Sequence, residues 1–254
     1  IVLDNCHFTN STLSGSRTGG LIGWTSGYSN ANDGPVKTYV TIENCSVVGV
    51  EINATGSAGG INGHAGASDW TYTTIENCTV KDCTINSTDT GDWRTGVVVG
   101  TANVGEVAIN NITASGNTIN QVGKTAPTEE VRRLFGRAVL GSTGKLTIDG
   151  YAYVADGVGM KDGAYFIRNI KGLQWVEAQT DTYFSGKTVK LMNDIDCAGV
   201  EILPIRFWNP ENRTIFDGQD YTLSNVSIQT NQDCAALFNG TLDVKNLKVD
   251  NATV

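Results

Sequence analysis

Three observations in the sequence predict an all-β chain folded as a right-handed parallel β-helix, a solenoid, with one short helix near 167–180. A short apolar motif recurs every 33 to 39 residues through the first half, a glycine-bounded string recurs in step with it, and the composition suits strands and turns. Of 254 residues 30 are Gly, only 17% are charged, and the 40% hydrophobic fraction is rich in Val and Ile. Such a mixture favours many short strands joined by tight turns. The length suffices for one large β domain or two ordinary ones.

The motif is clearest where TIENC at 41–45 returns as TIENC at 74–78. With its asparagine as position zero, six segments superimpose at Asn5, Asn44, Asn77, Asn111, Asn225 and Asn246. Two residues before it stand Leu3, Ile42, Ile75, Ile109, Leu223 and Val244, and one after it Cys6, Cys45, Cys78, Ile112, Val226 and Leu247. Three after it stand Phe8, Val47, Val80, Ala114, Ile228 and Val249; eight after it stand Leu13, Ile52, Ile85, Ile119 and Val254. Apolar columns separated by polar ones have the period of strands, and the Asn is a corner that resets which side faces inward. A second turn residue follows at Asn10, Gly49, Asp82, Gly116 and Asn251.

Further strands come from GGLIG at 19–23, GGING at 59–63 and GVVVG at 96–100, with weaker copies RLFG at 133–136 and ALFNG at 236–240. Each repeat is expected to hold about three short strands. Such a unit cannot bury its own apolar side, so it must stack on its neighbours. The 21 residues from Asn225 to Asn246 are close to a bare coil, and the longer early spacings leave room for loops.

Residues 1–150 are expected to form coils with decorated loops, 151–166 a junction, and 167–254 the start of a further set. In 167–180 the apolar Ile170, Leu173, Trp175 and Val176 suit a docking helix. The end NLKVDNATV is in register with the start NCHFTNSTL, and the chain begins mid-pattern without a start methionine or signal peptide. That reads as a mature segment or a piece of a longer array, or as a protomer that stacks head to tail. In the column before the Asn, Asp4, Glu43 and Glu76 form an acidic ladder, whereas the last copy has Lys245, which stacking would place beside Asp4.

GGLIG, GGING and GVVVG resemble the glycine-flanked GLUG motif of bacterial surface proteins. GKTVKLMNDIDCAGVEILPI, TIFDGQDYTLSNVSI and DVKNLKVDNATV resemble the segment that leads into GLUG repeats. The resemblance covers 20–150 and 165–254. It implies a parallel β-helix on a secreted or cell-surface protein, often adhesive, and no catalytic set. RLFG and ALFNG depart from the pattern, and the lead-in follows the repeats here instead of preceding them.

A net charge of −8 without a basic cluster argues against nucleic acid or an anionic membrane surface as partner. No apolar run approaches the roughly 20 residues of a membrane span. Cys6, Cys45 and Cys78 fill a column that holds Ile, Val or Leu elsewhere, so they read as small buried hydrophobes. An inter-coil disulfide such as Cys45 with Cys78 is the alternative. The spacing lacks the short Cys pairs of zinc sites, so no metal or other cofactor is expected. Cys83, Cys197 and Cys234 follow no common column, though a Cys197–Cys234 bridge is conceivable. Ten Asn-x-Ser/Thr sequons arise from corner Asn followed by outward Ser or Thr, a pattern read as structural ahead of glycosylation. The Thr column of Thr12, Thr84, Thr118 and Thr253 suits outward strand positions.

His7 lies in an outward column and His64 in a turn without an evident partner. The long insertions at 24–39, 65–72 and 87–94 each carry a Trp. Trp24, Tyr28, Asp69, Trp70, Tyr72, Asp92 and Trp93 combine aromatic faces with carboxylates, which suits sugar rings; alternatively the Trp side chains pin their loops. The sequence thus points to a non-catalytic extracellular module of an adhesin, stalk or filament whose partner is a glycan or a host or cell-surface protein. The competing expectation is a β-helix polysaccharide lyase or glycosidase using Asp4, Glu43 and Glu76.

Overall fold

The computed structural model describes residues 1–30, 34–228 and 236–253, with the backbone alone at 28–30 and 34–35. Val254 of the apolar column and Cys234 lie outside the described residues, as does the Tyr28 side chain. The chain is mostly β, with parallel sheets stacked from repeat to repeat, and divides into two units, Ile1–Gly150 and Tyr151–Val254.

In the first unit each full repeat contributes five strand segments instead of three. The first sheet contains Val2–Asp4, Thr38–Glu43, Thr71–Glu76, Glu106–Asn110 and Lys145–Ile148 in that order. The second contains His7–Thr9, Ser46–Val48, Thr79–Lys81 and Thr113–Ser115, and the third Thr12–Gly15, Glu51–Ala54, Thr84–Ser87 and Thr118–Gln121. The glycine strings split over two more. Thr18–Gly19, Ala58–Gly59 and Thr95–Gly96 form the fourth sheet, and Ile22–Trp24, Asn62–Ala65, Val99–Ala102 and Phe135–Ala138 the fifth. The weak string RLFG still enters this ladder, because Phe135 pairs with Val99; a short helix α1, Glu130–Leu134, precedes it.

The registers put the apolar columns in line. Leu3, Ile42, Ile75, Ile109 and Ile148 pair in succession, as do Phe8, Val47, Val80 and Ala114, and Leu13, Ile52, Ile85 and Ile119. Their interior members are fully buried: Ile42, Ile75 and Ile85 are 0% exposed. At about 25 cal/mol per Å² of apolar surface, such columns supply the main stabilisation of the stack.

The corner asparagines adopt left-handed backbone, with φ of 53°, 55°, 52° and 48° at Asn5, Asn44, Asn77 and Asn111. Asn tolerates this conformation because its short amide bonds locally. Here it bonds across repeats: Asn44 Nδ2 donates to Asp4 Oδ1 at 2.9 Å, and Asn111 Nδ2 to Asn77 Oδ1 at 2.8 Å. Away from the corners, Asn120, Asn86 and Asn53 form a similar amide ladder along the third sheet.

Cys6, Cys45 and Cys78 pack in one column as free thiols, and Cys6 N–H donates to Cys45 Sγ at 3.3 Å. Burial pushes the Cys45 thiol above its ordinary range and that of Cys78 up to about 11. Cys83 also has a place in the pattern: it is buried in line with Val50, because Thr84 N–H donates to the Val50 carbonyl and Thr118 N–H to that of Cys83.

In the second unit, Tyr151–Ala155, Val158–Lys161 and Ala164–Ile167 form an antiparallel meander where a junction was expected. Parallel strands Thr188–Leu191, Thr214–Asp217 and Leu242–Lys245 then follow Ala164–Ile167. Helix α2, Ile170–Glu177, is capped by Asn169, whose side chain accepts from Gly172 N–H. It docks Leu173 and Val176, with Ile170 and Trp175 beside them, on a core that includes Phe184, Phe207 and Phe216.

One expected equivalence fails. Asn225 does not stack on Asn246; it stacks on Asn251, 26 residues away, which donates to its amide oxygen, while Asn246 sits over Asp217. Thr214 pairs with Leu242, 28 residues on, so the 21-residue spacing is not one repeat. Asn246 and Asn251 are successive left-handed corners of one repeat, both flanked by the same apolar pattern. Asn225 therefore corresponds to the second corner, and sequence matching alone could not separate the two.

Candidate functional site

No helix among the described residues is long and apolar enough to cross a membrane, and no group of three His, Cys, Asp or Glu is arranged among them to hold a metal ion. Among the described residues, the features available for recognition include the loops, the outward face of the first sheet and a recess of about 190 Å³ between residues 114–117 and helix α1.

Two loops leave the fifth sheet at the same edge. Gly27 N–H donates to Ser68 Oγ at 2.9 Å and to Thr71 Oγ1 at 2.6 Å, so the chain after Trp24 packs against the turn that carries Asp69 and Trp70. Trp24 pairs in register with His64 and is 55% exposed, with the Arg17 guanidinium 4.8 Å from its ring centre. Trp70 is 37% exposed, and Asp69 accepts from Thr143 Oγ1 at 3.0 Å. The Tyr28 backbone pairs with Val36 in a two-stranded ribbon.

The third loop lies elsewhere. Residues 87–94 connect the third sheet to the fourth, so Asp92 and Trp93 do not share the edge of Trp24 and Trp70. Asp92 is tied to Arg137 by a 2.9 Å ion pair. Trp93 is half-buried, and its indole N–H is buried without an acceptor among the described residues.

His64 lies in the strand Asn62–Ala65 instead of a turn, and its Nε2 is 3.3 Å from Asn103 Nδ2. Burial, together with the Arg17 and Arg94 charges, lowers its pKa to about 4. His7 is outward, bonded to Ser46 Oγ and Asn5 Oδ1.

The outward face of the first sheet arises because TYVTIE and TYTTIE alternate β-branched or aromatic residues on both sides. Three rows run across it. One is Tyr39, Tyr72, Glu106 and Lys145; the next is Thr41, Thr74, Ala108 and Thr147; the third is Asp4, Glu43, Glu76 and Asn110. Tyr39 and Tyr72 stack with ring centres 4.9 Å apart and planes 17° from parallel. Beyond Tyr72, the small Ala108 side chain leaves a notch of about 120 Å³ bordered by Tyr72, Thr74, Glu106, Lys145 and Thr147.

Of the residues expected from sequence, only Tyr72 belongs to this notch. Tyr39, Glu106, Ala108 and Lys145 were missed, although Tyr39, Tyr72 and Glu106 all stand five residues before a corner Asn. The chain matches no family model, no curated protein and no solved structure.

Proposed function

We propose that the stacked parallel sheets form a right-handed parallel β-helix that serves as a non-catalytic repeat module of an extracellular, cell-surface or secreted bacterial protein. It acts as part of an adhesin, stalk or filament, associates head to tail, and presents the Trp24 and Trp70 loops to a glycan or a host protein. The GLUG-like strings support the surface assignment.

The observation that supports the association is the uncovered matching columns of the first and last described rungs, which a second copy would cover as a further repeat of the same chain would. Val244 pairs with the fully buried Phe216 yet is 45% exposed; Val249 pairs with the fully buried Leu223 yet is 46% exposed. Leu3, Phe8 and Leu13 are likewise only half-buried, where Ile42, Val47 and Ile52 are completely covered. Exposed sheet edges with apolar columns are templates for pairing. A second copy added in register sets Val244 over Leu3, Asn246 over Asn5 and Val249 over Phe8. It also extends the alternating row of Lys190, Asp217 and Lys245 with Asp4.

Sedimentation velocity across a concentration series, with negative-stain microscopy, tests this. Concentration-dependent chains or fibres are expected, and Val244→Asp with Val249→Asp abolishes them. A monomer at every concentration refutes the association.

A further inference from the structure

We infer that the notch on the first sheet is a binding site for a single pyranose unit of a glycan, separate from the loops and independent of end-to-end association. Three observations meet there. The Tyr72 ring stacks on Tyr39, has the Lys37 ammonium 5.8 Å from its centre, and forms a wall of the notch beside the strand Glu106–Asn110. An aromatic face accepts the C–H side of a sugar ring.

The polar groups at the rim are uncommitted. Among the described residues, neither the Glu106 carboxylate nor the Lys145 ammonium takes part in a hydrogen bond or an ion pair, although the two residues pair in register on neighbouring strands. A carboxylate accepts from sugar hydroxyls and an ammonium donates to hydroxyl or ring oxygens, so together they can hold adjacent hydroxyls. Thr74 and Thr147, on either side of Ala108, add one hydroxyl each.

The floor supplies the selectivity. Thr occupies the Ala108 row at 41, 74 and 147, and the missing hydroxyl and methyl at 108 create the depth. A shallow site on a rigid sheet has little ordering cost but few contacts, which sets a Kd on the order of millimolar. Glu106 with Lys145 balances charge, so neutral hexoses fit better than uronic acids.

The probes are the methyl glycosides of glucose, galactose and mannose, and N-acetylglucosamine, titrated into the full chain by saturation-transfer NMR. At least one should receive saturation with a millimolar Kd. Ala108→Leu fills the notch from an outward position and should weaken binding by about tenfold or more; Glu106→Gln should weaken it without altering the melting temperature. In a Trp24→Ala, Trp70→Ala background the saturation transfer that remains should be lost on adding Ala108→Leu, which separates this site from the loops. Absence of saturation transfer from all four probes overturns the proposal, and so does binding in the Trp24→Ala, Trp70→Ala background that survives Ala108→Leu intact.

Discussion

Gly59→Ala should destabilise the first unit strongly, because the glycine strings are steric requirements of the turn between the fourth and fifth sheets. A Cβ on Gly59 would overlap the Asn62 carbonyl oxygen and lie 2.6 Å from Gly100 N and 2.8 Å from Val98 O. Every one of these atoms is backbone, so no side chain can turn aside. Gly19 and Gly96 occupy the same register, and a Cβ on either would overlap the carbonyl three residues ahead, of Ile22 and Val99. Overpacking of this kind costs about 3 kcal/mol. In a domain of this size that lowers the melting temperature by about 6 to 12 °C. Gly15→Ala is the control: its Cβ would meet only Thr18 Oγ1 at 3.1 Å, and Ala54 and Ser87 already stand at that register. It should be neutral or stabilising by up to about 1 kcal/mol. Thermal melts followed by far-ultraviolet circular dichroism compare the two. A Gly59→Ala protein that melts with the wild type refutes the steric argument.

Asn77→Ala should cost about 2 kcal/mol, from left-handed strain on a residue with a Cβ plus the lost acceptor for Asn111, whereas Asn77→Gly should cost less than about 1 kcal/mol. Equal urea midpoints for the two variants contradict the strain component. His64 has a folded-state pKa of about 4 against the ordinary 6.5, so above pH 6.5 both states are neutral and the group contributes nothing. As pH falls from 6.5 to 4 the unfolded chain takes up the proton first, and stability drops; below pH 4 the loss is constant. His64→Gln should flatten the melting temperature over that window, and an unchanged slope places the effect elsewhere. Among Cys6, Cys45, Cys78, Cys83 and Cys197, only the half-exposed Cys6 should react with a maleimide in the native state, since the other four are buried and the thiols of Cys78 and Cys197 are pushed up to about 11. Peptide mapping by mass spectrometry reads the pattern, and early labelling of Cys78 contradicts it.

The apolar columns were legible because each is local: an Asn corner, then apolar residues at fixed offsets. The same locality explains the misplaced Asn225. Both corners of a repeat need left-handed backbone with an inward residue just after, so Asn225 and Asn246 look alike until Asn251 is seen donating to Asn225. The three Trp loops also looked alike, but Asp92 and Trp93 leave from a different edge, where Asp92 pairs with Arg137 and Trp93 is half-buried.

By itself the sequence determined that the chain is a stack of strands with buried columns, since spacing alone dictates which residues face inward and a repeat cannot bury its own apolar side. It also determined why Gly and Asn stand at the corners. Tertiary structure decided what depends on neighbours from other repeats: five strand segments per repeat, the docking of α2, and which end residues go uncovered. It decided the notch as well. Ala108 is an ordinary small residue in the sequence, and only its place between Thr74 and Thr147, beside the Tyr72 ring, turns a missing side chain into a notch.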